Sequence, residues 1–308
     1  MAYRCKSVSG RLKNTNARIK GGYSDMLRIL TDTASDFDLE EAAALGITLL
    51  PMEITFGDHT YKDRFDLTPD RFYEMLIESS DLPHTSQINS YTFEQEFEKI
   101  QDAGDSAIVI LMSSRLSGTY QNAVIAAREY SSIRVVDSKS GSIGEQLLVR
   151  YALMLRSRNR EIDEIVHRLE VRRNQIRVLA LLDTLEYAKK GGRLGTAAAA
   201  FGTLLSIKPV LTVENGKIKI LGKARGSRNG NNFLNKEIAS TGIESRLPVA
   251  VAYSGLDHAK LDHYIEDSRS IWEGVIDHMP VSQLGSTIGT HAGPGTIVVA
   301  YFMKQPKG

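Results

Sequence analysis

The sequence predicts a two-domain α/β protein: an N-terminal doubly wound parallel sheet with helices on both faces over residues 26–158, then a C-terminal α/β domain over residues 159–308. Three observations carry this. Short apolar runs alternate with amphipathic helical stretches for about 130 residues from Met26, the rhythm of strand and helix that builds a parallel sheet. After Arg158 that rhythm gives way to helices, strands and one hairpin in mixed order. The length, 308 residues, is that of about two ordinary domains.

In order, Leu27 to Leu30 reads as a strand, and TDTASD follows as a turn rich in capping residues. DLEEAAALG, from Asp38 to Gly46, is a short helix that stops on glycine. ITLLPMEITF is extended and β-branched, and TPDRFYEMLIES is a helix with Pro69 at its start. Phe93, Phe97 and Ile100 share one helical face, strand AIVILM follows, and a helix runs from about Ser117 to Tyr130. Strand IRVVDS and the helix through GEQLLVRYALML complete the first domain. In the second, EIDEIVHRLEVRRNQI is a charged amphipathic helix, VLALLDT a strand, LEYAKKGG a helix ended by glycines, and TAAAAFGTLLSI a very apolar helix. KPVLTVENGKIKILGKAR turns at Asn215-Gly216, a hairpin signal. Strand PVAVAYSG, helix HAKLDHYIEDSRSIW and strand TIVVAYF close the chain.

Composition excludes several classes. The chain is 42% hydrophobic and 24% charged, with a formal net charge of +1. Residues 1–25 hold six Lys or Arg against Asp25 alone, so residues 26–308 carry a formal charge of −4, which gives no reason to expect nucleic-acid binding. That leader lacks the apolar stretch of a secretory signal and reads as a flexible basic extension or a mis-assigned start, with Met26 opening the folded chain; a targeting segment is the alternative. Cys5 is the only cysteine, which rules out an intrachain disulfide and suits a reducing compartment. No run approaches the ~20 apolar residues of a membrane span, so the expectation is a soluble cytoplasmic protein.

One stretch asks for more than a structural reading. SSRLSGTYQNA follows the apolar strand AIVILM and offers Ser113, Ser114, Ser117 and Thr119 where a helix begins. A helix cap needs one hydroxyl. Four suggest a small-anion site against helix-end amides, and strands of parallel sheets deliver their loops to such sites. Nucleotide loops of the GxxxxGK[ST] or GxGxxG type are absent, as is GxSxG; Gly293-Pro294-Gly295 lacks the third glycine. His258 and His263, the closest histidine pair, are misaligned for a metal on one helix face. The pattern is a ligand pocket without an evident reactive centre.

TDTASD, Thr85-Ser86-Gln87, SSRLSGTYQNA, Gly191-Gly192-Arg193, Lys208-Pro209-Val210-Leu211 and Thr290-His291-Ala292-Gly293-Pro294-Gly295 occur in this order. Together they make the chain from Met26 to Lys304 resemble the DegV family of bacterial fatty-acid-binding proteins. The resemblance implies an acyl chain in a tunnel between the two domains, no cofactor or metal, and no catalysis by the protein itself. It also implies a partner, a fatty-acid kinase that phosphorylates the carried carboxylate for phospholipid synthesis. Carried over by motif, the carboxylate ligands are Thr85, Ser117 and His291, with Gly118 and Thr119 supporting the head group. Arg193 and Arg225 match family arginines and are expected at the tunnel's exterior, as phosphate or kinase contacts.

Each of these residues also has a plainer reading: Thr85 a loop cap, His291 a satisfied buried histidine, the arginines surface charges. Two departures from the family pattern are visible. Ile88-Asn89-Ser90 follows TSQ in place of a proline-containing loop, and GSRNGNN follows Arg225 in place of a strongly basic stretch. Competing functions are an acyl hydrolase or phosphotransfer enzyme using Ser117 or His291, and a lipid-state sensor. The tunnel reading is energetically coherent, since burying a sixteen-carbon chain gains roughly 12 kcal/mol at ~0.8 kcal/mol per methylene before ordering costs. TAAAAFGTLLSI suits the tunnel lining, a core helix, or both.

Overall fold

A computed structural model describes residues 26–194, 207–274 and 279–305. The basic leader and TAAAAFGTLLSI, apart from Ile207, lie outside the described residues. Strand β1 (Leu27–Asp32) leads through a short 3-10 turn to helix α1 (Leu39–Leu45), which Asp38 caps by accepting from the Glu41 amide and Gly46 ends in the left-handed conformation. Strands β2 (Ile47–Leu50), β3 (Glu53–Phe56) and β4 (His59–Lys62) follow, then α2 (Pro69–Glu78), β5 (His84–Ser86) and α3 (Ser90–Asp102). Next come β6 (Ser106–Leu111), α4 (Thr119–Ala126), β7 (Ile133–Asp137) and α5 (Ile143–Arg156). The remainder comprises α6 (Ile162–Arg172), β8 (Ile176–Leu181), α7 (Glu186–Lys190), β9 (Ile207–Glu214), β10 (Lys217–Arg225) and α8 (Gly226–Thr241). It ends with β11 (Val249–Tyr253), α9 (Ala259–Asp267), α10 (Arg269–Trp272), β12 (Val281–Gln283), α11 (Ser286–Ala292) and β13 (Ile297–Phe302).

The expected doubly wound sheet is present, with all strands parallel in the order β2-β1-β6-β7. One face is covered by α3 and α4 through Phe93, Phe97, Ile100, Ala123 and Ala126. The other is covered by α5 and α6 through Leu147, Leu148, Ala152, Ile165 and Leu169. The chain leaves β1 toward β2 and returns on the far side as β6, so the carboxyl ends of β1 and β6 form the crevice where such sheets receive ligands. TDTASD and SSRLSGT are the loops at those two ends.

ITLLPMEITF proves to be two strands in two sheets. Pro51 has no amide hydrogen to continue the ladder, so β2 ends at Leu50 and β3 joins the small antiparallel sheet β4-β3-β5. The C-terminal sheet runs β10-β9-β8-β13-β11-β12, antiparallel except for the β11–β12 pair. Its hairpin turns where expected, Asn215 and Gly216 both taking positive φ (51° and 78°). Helix α5 packs against strands of both large sheets, and one apolar cluster runs from Ile29 and Ile108 through Leu147 to Val178, Ala250 and Val298.

Helix α8 begins inside GSRNGNN, whose glycines and asparagines are poor helix formers. Packing overrides propensity there. Gly230, Leu234 and Ile238 face the sheet, and a Cβ at Gly230 would stand 2.5 Å from a Leu181 methyl.

Candidate functional site

Between the parallel sheet and the C-terminal sheet lies a cavity of about 680 Å³, within the range of small-molecule pockets. Met52, Met112, Leu182, Leu211, Ile288 and Val298 supply apolar wall, while Thr85, Ser86, Gln87, Ser117, Arg193 and His291 make a polar corner. These polar groups arrive from four separate segments of the chain. Thr85 is the middle residue of β5, paired across to Ile54. Ser117 ends the loop that follows β6. His291 lies in the last turn of α11, and Arg193 follows α7.

Thr85 and His291, 206 residues apart, meet with Oγ1 and Nε2 at 3.3 Å. The imidazole is held neutral: burial, then the nearby Arg193 charge, pushes its pKa down to about 4. Its Nδ1 is buried without a hydrogen-bond partner among the described residues, so no carboxylate orients the ring. It packs instead on Gly191, where a Cβ would stand 2.0 Å from Nδ1. The paired glycines before Arg193 therefore include one that the histidine requires.

The four hydroxyls of SSRLSGT have four different tasks. Ser113 Oγ donates to the Gly216 carbonyl at 2.8 Å, joining the loop to the tip of the β9–β10 hairpin. Ser114 Oγ donates to Asp137 at 2.6 Å. Ser117 lines the cavity, and its Oγ accepts from the Thr119 amide at 3.2 Å and lies 2.9 Å from Thr119 Oγ1. Thr119 is buried behind it and accepts from the Ile88 amide at 3.2 Å. Gly118 begins α4 with no side-chain cap, and Gln87 lies so close that a Cβ at Gly118 would be 2.0 Å from its Oε1.

TDTASD holds the site together without facing it. Asp32 accepts from the amides of Ala34 (2.9 Å) and Met112 (3.0 Å), the latter at the start of the serine loop. Asp36 accepts from the Gly285 amide (2.8 Å), Ser142 Oγ (2.7 Å) and Arg64 (3.2 Å). Asp63, a residue with no sequence signal, accepts from the amides and hydroxyls of Ser286 and Thr287, and so fixes the first turn of the helix that carries His291. Burial pushes Asp32 up to about 7 and Asp36 up to about 6.

The two arginines separate. Arg193 was expected outside the tunnel; it is exposed and also lines the cavity, its Nη1 donating to the Gly191 carbonyl at 2.7 Å and its charge near enough to His291 to lower that pKa. Arg225 is exposed at the end of β10 and takes no part in the lining. Gly293 and Gly295, both at positive φ, serve close approach: added Cβ atoms would strike the Tyr187 ring and the Asp183–Lys260 pair. No group of side chains suited to a metal occurs among the described residues, and no described helix is long and apolar enough to cross a membrane.

Fold and site together define a three-sheet α/β protein with a largely apolar cavity ending in a polar corner. A family model described as "Uncharacterised protein, DegV family" matches residues 26–304, and the chain belongs to that family. It is 32% identical to a DegV domain-containing protein of Clostridium perfringens over 91% of this chain and 98% of that one. Among solved structures, it is similar to a DegV family protein from Thermus thermophilus described for fatty-acid binding, with TM-score 0.81 and 29% identity over 90% of this chain and 99% of that one. It is also similar to DegV of Bacillus subtilis, a fatty-acid-binding protein, with TM-score 0.79 and 25% identity over 91% and 100% of the chains.

Proposed function

We propose that this chain binds a long-chain fatty acid in the inter-sheet cavity and presents it to a fatty-acid kinase. The carboxylate is held by Thr85, Ser117 and His291, with Gly118 and Thr119 behind them. In this reading residues 26–158 and 159–308 are two domains whose junction is the ligand site. The observation that carries it is the convergence of two hydroxyls and a neutral imidazole on one corner of an otherwise apolar cavity. An apolar wall supplies affinity for a tail, and a few fixed polar groups set which end points where. The fatty-acid binding described for the Thermus and Bacillus relatives supports this reading.

The arrangement favours a carrier over an acyl hydrolase. A serine nucleophile needs a base within hydrogen-bond reach, and that base an orienting partner. His291 Nε2 contacts Thr85 and its Nδ1 has no partner among the described residues, while Ser117 is bonded to Thr119. Kinase presentation rests on the family resemblance and on Arg193 and Arg225, which expose guanidinium groups able to complement a phosphate. The test is mass spectrometry of lipid extracted from the purified protein, beside assays of esterase and nucleotide turnover. Stoichiometric fatty acid without turnover is the expected result. Ester hydrolysis lost in Ser117→Ala would replace the carrier with an enzyme.

A further inference from the structure

Asn122, in the SGTYQNA part of the serine motif, has no role in the binding site as described so far. Its Nδ2 donates to the Ile88 carbonyl at 2.7 Å, while Thr119 Oγ1, one helical turn earlier, accepts from the Ile88 amide at 3.2 Å. Both polar groups of one residue's backbone are thus gripped by one face of α4. Ile88 follows directly on Thr85-Ser86-Gln87, and Gln87 packs on Gly118. The strand that carries Thr85 and the loop that carries Ser117 are therefore locked together at three successive points.

The lock also decides the direction of a proton. A hydroxyl has one proton and two lone pairs. If Ser117 donated to Thr119, the Thr119 proton would need another acceptor; Thr119 is fully buried, and no other acceptor lies in reach among the described residues. A buried donor without a partner is costly. If Thr119 donates to Ser117, every group is paired: Thr119 accepts from Ile88, and Ser117 accepts from the Thr119 hydroxyl and amide. The Ser117 proton is then left over, and Ser117 lines the cavity.

We propose that Thr119 and Asn122 are positioning residues: they clamp the Ile88 peptide, and Thr119 turns the Ser117 hydroxyl into a dedicated donor toward an acceptor-only head group such as a carboxylate. This rests on the fatty-acid reading of the cavity, and it gives that reading a selectivity rule. A head group that accepts from both Ser117 and Thr85 gains two directed bonds; an uncharged alcohol of the same length gains far less.

The experiment measures Kd for hexadecanoate and hexadecanol in wild type, Thr119→Val, Thr119→Ser, Asn122→Leu, Ser117→Ala and the Ser117→Ala/Thr119→Val double variant. Amide exchange at Ile88 is followed in the ligand-free proteins. Thr119→Val is expected to weaken hexadecanoate about tenfold and hexadecanol less than twofold, with Thr119→Ser close to wild type. Asn122→Leu should act in the same direction and more weakly. In the Ser117→Ala background Thr119→Val should cost nothing further, since Thr119 acts through Ser117. Ile88 exchange should quicken at least tenfold in Thr119→Val and not in Thr119→Ser. Equal losses for acid and alcohol, additive losses in the double variant, or unchanged Ile88 exchange would overturn the inference. Wild type that fails to bind hexadecanoate while Ile88 exchange behaves as described would sink the fatty-acid reading and leave the clamp standing.

Discussion

Replacing Gly191 by alanine adds one methyl group, and that methyl has nowhere to go but the imidazole of His291. The backbone accepts the change, since Gly191 has a φ of −71°. The Cβ would stand 2.0 Å from Nδ1, whereas ordinary contact begins at 3.4 Å, so the ring must retreat by about 1.4 Å. Nε2 already lies 3.3 Å from Thr85 Oγ1, and a shift of that size takes it out of hydrogen-bond range. The same retreat withdraws the imidazole from a carboxylate seated in the corner; one lost bond to that charged group is worth ~1.5–3 kcal/mol, so fatty-acid affinity should fall roughly tenfold or more. Overpacking costs about 1–3 kcal/mol of stability on its own account, so thermal unfolding must be followed beside binding. The assay is displacement of a fluorescent fatty acid from Gly191→Ala, His291→Ala and the double variant. If Gly191 matters because it makes room for the histidine, the methyl should cost no affinity once His291 is already alanine. A full tenfold loss in the His291→Ala background, or none in the wild-type background, would refute the reasoning.

Thr85→Val and Ser117→Ala should each weaken carboxylate binding about tenfold at unchanged fold, as measured by calorimetry and circular dichroism; wild-type affinity in both removes them from the site. Arg225→Ala should keep full lipid occupancy and lose acyl-phosphate formation by a cognate kinase, while Arg193→Ala should show the kinase defect together with a loss of affinity of a few fold, because Arg193 lines the cavity. Stability should fall between about pH 4 and pH 7. The Asp32 carboxyl titrates near 3.8 unfolded and about 7 folded, so in that window the folded chain holds a proton that the unfolded chain has released. Asp36 and Glu145 are raised by burial and act in the same sense; His291, lowered by burial, and the ion-paired carboxylates Asp183, Glu214 and Glu244, also lowered, act in the opposite one, the last two at exposed positions where solvent screens them. Urea unfolding that shows equal or greater stability at pH 8 than at pH 5 would contradict this balance.

The architecture was legible wherever local periodicity and burial agree. Phe93, Phe97 and Ile100 are all buried, and Asn215-Gly216 turns the hairpin. Elements were illegible where tertiary packing replaces local preference. α8 starts in GSRNGNN because Gly230 lets the helix sit on Leu181, a reason no window of sequence contains. α11 is seven residues long and is held by Asp63, more than two hundred residues away. β5 is three residues of polar strand with no hydrophobic alternation to announce it. The same holds for the site. Family motifs pointed to Thr85, Ser117 and His291, but nothing local links Thr85 to His291, and the role of Gly191 appears only when the ring is seen lying on it.

The acidic turn TDTASD shows why motif density alone misleads about chemistry. Two aspartates at the carboxyl end of a parallel strand stand where catalytic or metal-binding carboxylates often stand. Here neither lines the cavity: Asp32 is paired to two backbone amides, and Asp36 to an amide, the Ser142 hydroxyl and the Arg64 guanidinium. Asp32 ties β1 to the start of the serine loop, and Asp36 ties it to the start of α11. Because Ser117 ends that loop and His291 ends that helix, the two aspartates fix the separation between two halves of the head-group corner. Their burial would be unfavourable in isolation. It is tolerated because fixed donors replace water: two loop amides for Asp32, and an amide, a hydroxyl and the Arg64 guanidinium for Asp36. A carboxylate at the crevice itself would repel a fatty-acid head group. The same residues placed one layer behind it instead hold the neutral donors in position, which is the division of labour expected of a site built to hold an anion without reacting with it.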